Sequence, residues 1–509
     1  MNRTTHIFLI LLAFFNAGSV IAQTKTSRAE VTWGPEMDDS KDGDFREVFE
    51  YTDEHVYMLM YKKKELFVQK MDLGFHVVYS KLLPMELDKD RHGLELIQVF
   101  GDRIIVFTKF YEKQEKRNGL YMRMFSADDM SAIGRLERVA EMPVESKRAK
   151  GSFDVQGSPD ASKILVNLNL PYVKENLERF ALRVYDDQMN AVWQRDVELP
   201  YRDDEFAVQD LRVDNDGSVL MIGQKYAEKA EAKELRKDKR PTYTYHMLVY
   251  HADKDIPDDH PIMVQDKFLQ DLTLSLGDDG DILCGGFYGN KGSFTVRGTF
   301  FLKLDRRSKA ILHESYKEFS DDFITQYMTE KEESKAKKKA DKKDEDLELY
   351  SYELRDIVRT DDGGAVLVGE QYMFYVTTST FTDANGRTST TTTYHYVYND
   401  IIVVNVDPEG NIDWAVKIPK RQHTTNDGGY YSSFAMHVDK DNLYFVFNDH
   451  GQNLFLLPGD KVQQFKLGGK EALMRSLPWK EWAPCTAKHC SHRTSAMRSR
   501  DQGLSADRR

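Results

Sequence analysis

Cysteine is nearly missing from this chain: three residues in 509, at Cys284, Cys485 and Cys490. That excludes a disulfide framework, so stability must come from apolar burial in a large domain. Long hydrophobic runs are missing too, apart from Ile7–Phe15 near the start. A span needs about 20 apolar residues, so no segment here is long enough to cross a bilayer. Positive charge is in deficit: the net charge is -12 and the pI about 5.7. A nucleic-acid partner is not expected, because phosphate contacts come from clustered Lys and Arg. Catalytic signatures are likewise lacking. There is no nucleophile elbow, no H-E-x-x-H, no P-loop and no C-x-x-C. Gly469-Lys470 lacks the following Ser or Thr, and the sialidase-type Asp-box is absent.

What is present is a composition of 40% apolar, 12% aromatic and 30% charged residues, ample for a sizeable core. The first residues read as an export signal. Arg3 supplies a positive region, Ile7–Phe15 an apolar one, and small residues lead to Ala22. Cleavage after Ala22 is expected, giving residues 1–22 as a signal peptide. The expected location is the periplasm, the outer-membrane surface or the exterior. No Cys follows the apolar run, so a lipid anchor is not expected.

A repeat dominates the rest. An alternating strand, a tight polar turn and an apolar strand ending near Gly or an aromatic recur at Leu211–Tyr226, Leu274–Tyr288 and Ile357–Tyr372. Weaker copies begin near Glu47, Leu96, Phe153 and His437. Each copy is followed by a second strand pair, as in Phe180–Tyr185 with Ala191–Val197, and Ile401–Val406 with Ile412–Ile418. The joining segments carry turn residues. The unit is therefore four strands, here named A to D. Four antiparallel strands repeated this often predict an all-β fold: a β-propeller of seven blades, or eight with the last incomplete, carrying helical and hairpin inserts. Val31–Met37 resembles a D strand, with Trp33 placed as Trp193 and Trp414 are in theirs. It is expected either to complete the last blade or to form a stray edge strand.

The propeller is expected over residues 23–474. Long B–C connections are expected at Glu112–Asn118, Pro171–Arg179, Ala227–Tyr243, Gly289–Arg297 and Val376–Tyr394, all on one rim. Glu228–Arg240, within the insert 227–243, is charged and helix-prone. The insert 329–346 continues a helix whose Phe323, Ile324, Tyr327 and Met328 can dock on the fold. The Thr-rich insert 376–394 is expected as a hairpin with a type I′ turn at Asn385-Gly386.

Residues 475–509 break the pattern. They hold eight Lys or Arg against three Asp or Glu, and two of the three Cys. They are expected to be disordered, truncated or out of frame. Cys485, His489, Cys490 and His492 lie in this tail, but two adjacent ligands are awkward in a tetrahedral site. Asp214-Asn215-Asp216-Gly217 has calcium-like spacing, yet the same residues suit a tight hairpin. No metal and no cofactor are expected.

Asp361–Tyr372, Asn399–Gly410, Ile418–Gln422, Gly428–Ser433 and Asn448–His450 give the chain its likeness to a family. It resembles uncharacterised, exported, repeat-containing proteins of Bacteroidetes-type bacteria, from about residue 30 to about 474. The resemblance implies the fold and carries no activity.

One candidate site emerges. Glu370 ends a B strand, Lys420, Arg421 and Gln422 leave the next D strand, Tyr430 and Tyr431 enter the following A strand, and Asn448, Asp449 and His450 end its B strand. Basic, amide and aromatic groups suit a glycan or a peptide carboxylate. The same groups could instead knit neighbouring blades together. The expected function is a non-catalytic, exported propeller, monomeric, binding a protein or glycan. The alternatives are a glycan or peptide hydrolase with carboxylates near the central channel, and a structural envelope protein.

Overall fold

A computed structural model describes residues 23–25, 30–32, 41, 43–87, 90–144, 151–171, 177–202, 204–262, 267–277, 281–290, 295–343, 346–360, 362–439, 442–456, 460–466 and 472–474. The expected signal peptide, Trp33 and the tail 475–509 lie outside the described residues.

Alternation of apolar and polar residues sets the strands, and short polar turns fold each strand back on its predecessor. Sheet 1 runs Asp44–Tyr51, His55–Lys62, Glu65–Asp72 and Val77–Leu83. Sheet 2 runs Gly93–Phe100, Arg103–Glu112, Arg117–Ser126 and Ala132–Pro143. Sheet 3 runs Ser152–Gly157, Lys163–Asn169, Leu177–Asp186 and Ala191–Arg202. Sheet 4 runs Phe206–Val213, Val219–Tyr226, Tyr243–Tyr250 and Asp258–Ile262. Sheet 5 has its A strand in two pieces, Phe268–Leu269 and Thr273–Ser275, then Ile282–Gly289, Gly298–Leu304 and Ile311–Glu318. Sheet 6 runs Tyr352–Arg359, Ala365–Thr382, Thr388–Val406 and Ile412–Thr425. The seventh repeat, called sheet 7 below, is two separate two-stranded pairs: Ala435–Asp439 with Asn442–Val446, and Asn448–His450 with Ala472–Met474. In the first six, sequential strands are neighbours. This is the β-propeller blade order. All seven A–B copies read from the sequence fall on an A–B strand pair.

The chain divides into two compact units. One holds residues up to Val155 with Leu168–Pro171; the other holds Gln156–Asn167 and everything from Tyr172. In the first unit, Tyr57, Leu59 and Val68 of sheet 1 share one core with Ile97, Ile104 and Phe125 of sheet 2. In the second, each sheet packs on the next. Phe180 and Leu182 meet Phe206 and Met221. Met247 and Val249 meet Cys284 and Phe300. Phe287 and Phe301 meet Ile357 and Leu367. Val366 and Val403 meet Leu443 and Phe445. A B strand thus has apolar neighbours on both faces, which is why it reads as an unbroken apolar run rather than an alternating one. Cys284 lies in such a run, fully buried, and burial pushes its thiol far above the usual range.

The glycine that closes the B-strand motif has a packing reason. A Cβ on Gly369 would sit 2.4 Å from the Phe287 ring, and one on Gly223 1.8 Å from the Phe206 ring. The aromatic ring occupies the volume a side chain would need.

Turn chemistry departs from expectation at Asn385-Gly386. Asp383 N–H donates to Arg387 O, Gly386 N–H donates to Asp383 O, and Gly386 takes φ +77° while Asn385 does not take a positive φ. This is a type I turn followed by a left-handed glycine, not type I′. Asp383 decides it: its carboxylate accepts the N–H groups of Asn385 and Arg387, both at 2.9 Å. The same pattern holds at Asp407–Asn411 and Asp214–Ser218. Asp214 is also paired with Arg306, so its carboxylate ties sheet 4 to the Asp305–Ala310 turn of sheet 5.

Other segments also differ. Glu112–Asn118 is a turn of residues 113–116 between long strands. Of the expected strand Val31–Met37, Val31 and Thr32 lie in Glu30–Thr32, which pairs with Gln23–Lys25, and residues 33–37 lie outside the described residues. Among the described residues, α-helices α1 (Lys229–Lys237), α2 (Asp321–Thr325) and α3 (Glu330–Lys343) punctuate the sheets. Ile324 of α2 is buried in the core of sheets 5 and 6, with Phe323 packed against it.

Gly369→Val should overpack the Phe287 contact and lower the unfolding free energy by about 1–3 kcal/mol. Urea denaturation measures this, and Phe287→Leu in the same chain should return part of the loss.

Candidate functional site

Glu370 follows the apolar run of the sheet 6 B strand and is fully buried. A carboxylate there needs a cation and donors, and the D strand of the same sheet supplies them. Lys420 Nζ, itself fully buried, donates to Glu370 Oε1 at 2.7 Å, to Gln422 Oε1 at 3.0 Å and to Tyr398 O at 3.2 Å. Ser433 Oγ donates to the other carboxylate oxygen at 2.8 Å, and Arg355 Nε at 3.2 Å. Burial lowers the Lys420 pKa, and Glu370 opposes that shift.

Gln422 carries the network to the seventh sheet. Its Nε2 donates to Asn448 O at 2.8 Å and its Oε1 accepts the Ser433 N–H at 2.7 Å. Asn448 Nδ2 donates to Tyr431 O at 2.9 Å. Asp449 is buried and accepts Asn453 Nδ2 at 2.7 Å. His450 Nδ1 accepts the Gln452 N–H at 3.2 Å.

Glu370 was expected to end its B strand and Lys420, Arg421 and Gln422 to leave the D strand, but all four lie mid-strand, because B, C and D pair on to Thr382 and Thr425. Hydrogen bonds join Glu370, Lys420 and Gln422 to Asn448 and Tyr431 of the seventh repeat, and the nine residues divide by burial. Glu370, Lys420, Gln422 and Asp449 are interior, and Asn448 and His450 are half-buried caps. Arg421, Tyr430 and Tyr431 face solvent. Tyr430 is 59% exposed and Tyr431 45%. Their rings stand nearly perpendicular with centroids 5.1 Å apart. The loop that presents them is fixed by Asp427, whose carboxylate accepts Thr424 Oγ1 at 2.8 Å and the Gly429 N–H at 3.0 Å. Gly429 has φ +75° and lies against the Tyr398 ring, so no other residue fits there readily.

Sequence reasoning missed Arg355, Tyr372, Tyr398 and Ser433. The Arg355 guanidinium lies 5.2 Å from the Tyr372 ring centroid and 5.9 Å from that of Tyr398. Arg355 occupies an irregularity in the A-strand register between Leu354 and Asp356, which turns it toward Glu370. No residue pattern announces that bulge.

Two further carboxylates accept backbone N–H groups. Asp271 Oδ2 accepts the Leu354 N–H at 2.8 Å, and Asp210 Oδ2 the Leu274 N–H at 3.0 Å. Both tie one A strand to the next. Burial raises the pKa of Asp271, Glu353 and Asp356. Among the described residues no group of three His, Cys, Asp or Glu is placed to hold a metal ion. Two clefts of about 440 and 530 Å3 lie in the first unit and share Phe110, Tyr111 and Lys113. Neither includes any of the nine residues.

No family model matches the chain, and no curated protein matches it in sequence. Solved structures are similar at low identity. A protein of unknown function from Bacteroides caccae is 10% identical, with 72% of this chain and 94% of that one covered and a TM-score of 0.27. The β-propeller domain of the trilobed protease from Pyrococcus furiosus is 8% identical, covering 76% and 93%, with a TM-score of 0.33. Prolyl oligopeptidase B from Galerina marginata is 11% identical, covering 73% of this chain and 39% of that one, with a TM-score of 0.29. Likeness at this level carries no functional argument, and the fold rests on the sheet order.

Two measurements probe the buried cations. Lys420→Ala leaves Glu370 buried without its ammonium partner and should cost about 3–5 kcal/mol. The double variant Lys420→Met with Glu370→Leu should recover most of that loss in denaturant titration. Lys417 is also buried: it donates to Ile324 O at 3.1 Å and lies 5.1 Å from the Phe323 ring centroid. Burial lowers its pKa to about 8, opposed by Asp400. Between that value and the ordinary lysine range the unfolded chain holds a proton that the folded chain has released. Stability from this group should therefore rise with pH above about 8, by roughly 3 kcal/mol at most. The rise should be absent in Lys417→Met.

Proposed function

We propose that the protein is an exported, non-catalytic β-propeller that binds a protein or glycan partner through the surface formed by Arg421, Tyr430 and Tyr431. The observation that carries this reading is the division of the cluster. The ionisable groups are neutralised in the interior, and the two exposed rings stand on the loop fixed to that interior. A preformed aromatic pair loses little side-chain entropy on binding and offers stacking, and the exposed Arg421 guanidinium offers bidentate hydrogen bonds. Sugar rings and peptide carboxylates both match that chemistry. Its expected place is the periplasm, the outer-membrane surface or the exterior.

The hydrolase reading draws its support from the raised pKa values of Asp271, Glu353 and Asp356. Against it, Asp271 is committed to a backbone N–H and Glu353 to Arg355 at 3.0 Å. A carboxylate held in this way is a poor proton shuttle.

A glycan array and a peptide library screened with the purified chain should return a ligand. Tyr430→Ala, Tyr431→Ala and Arg421→Ala should each weaken it about tenfold or more, with the melting temperature unchanged. Unchanged affinity in all three would remove this surface from the function, and turnover of the bound ligand would favour the hydrolase.

A further inference from the structure

The long hairpin of sheet 6 extends well past its neighbours. Its B strand pairs with the A strand only as far as Gln371, while its own pairing with the C strand continues to Thr382. The stretch Met373–Thr382 therefore has a partner strand on one side only. Ten residues at about 3.4 Å each make a free edge on the order of 34 Å long. The C strand's outer edge is shorter, because the D strand pairs with it as far as His395.

Natural sheets blunt such an edge with Lys, Pro, a bulge or a covering segment. The edge carries no Lys, Pro or bulge, and among the described residues no strand pairs along it. Gln371–Thr382 and Thr388–Asn399 contain no Asp, Glu, Lys, Arg or Pro, in a chain whose charged fraction is 30%. Beyond the irregularity at Glu370/Tyr372, the pairing runs to the turn without a bulge. The residues are instead those with the highest strand preference: Thr, Val, Tyr and Phe. Both faces are also apolar and open. Tyr372, Phe374 and Val376 lie opposite Tyr398, Tyr396 and Tyr394 on one face, and Phe374, Val376 and Tyr394 are each 46% exposed. On the other face Met373, Tyr375 and Phe381 are exposed. A two-stranded ribbon in water on both sides is marginal by itself.

We infer that this edge is the interface for a second copy of the chain, the two B strands meeting antiparallel across a twofold axis. The lack of charge is what selects this occupant. In an isologous contact residue i meets residue j of the other copy and j meets i, so a strand whose charges were of one sign would repel its own copy at any register. A threonine-rich edge has no such penalty, and facing threonines form favourable cross-strand pairs. The pairing satisfies the free backbone groups and joins the two aromatic faces into one four-stranded surface. The expected monomer is replaced by a dimer. This inference does not depend on the Arg421, Tyr430 and Tyr431 surface.

Sedimentation equilibrium of the full chain at micromolar concentration tests it. The expected mass is twice 59.0 kDa. Thr378→Lys and Thr378→Glu should each sediment as monomers with unchanged circular dichroism, and mixing the two should restore the dimer. A wild-type monomer across the concentration range overturns the inference, as does a dimer that survives both substitutions. A wild-type monomer retarded in a gel by neutral polysaccharide, and released by Phe374→Ser, would instead place a glycan on the ribbon and also overturn it.

Discussion

In the second unit the middle strands of the four-stranded sheets are apolar on both faces, and neighbouring sheets cover them. That single constraint sets the chain's layout. Burial of strand faces is the dominant favourable term in folding, and here it is delivered between consecutive sheets: Phe287 against Leu367, Val366 against Phe445, Met247 against Cys284. Gly223 and Gly369 in their apolar B strands, the buried aromatic ring over each and the short turns between strands all serve the same close approach. Inserts are tolerated only where they leave that stacking intact, as α1 and α3 do.

The polar ties are secondary in energy but decisive in position. Trp193 Nε1 donates to Gly217 O at 2.8 Å, linking sheet 3 to the A–B turn of sheet 4. Ser315 Oγ donates to Gly410 O at 2.7 Å, linking sheet 5 to a turn of sheet 6. Between sheets 6 and 7 the tie is the Glu370–Lys420–Gln422 network, buried midway along the B and D strands of sheet 6. A buried charge network is costly unless complete. Completeness is what Ser433, Arg355 and the Asn448 carbonyl provide.

Much of the fold was legible in the residues. The repeat could be read because strand period, turn residues and the closing glycine recur together, so Leu211–Tyr226 and Ile357–Tyr372 each report the same local structure. The joining of Glu370, Lys420 and Asn448 followed from the blade order, although the B and D strands of sheet 6 run on past Glu370 and Lys420 instead of ending there. Burial was not legible. Lys420 and Arg421 are adjacent in sequence and polar alike, yet a strand points them to opposite faces, and only the packing decides which face is interior. Turn type was lost for a similar reason: Asn385-Gly386 has the dipeptide of one turn, but Asp383 two residues earlier imposes another. The role of Arg355 depended on a register irregularity that no residue type signals.

Cys284 sits where sheets 4 and 5 press together, at 0% exposure. Its sulfur is shielded on all sides by Met247, Phe300 and their neighbours, so a thiol-directed reagent reaches it only when those two sheets part. The molecule thus carries a built-in clock. The pace at which this one atom becomes chemically reactive reports how often the stack opens at its middle, without any label being introduced.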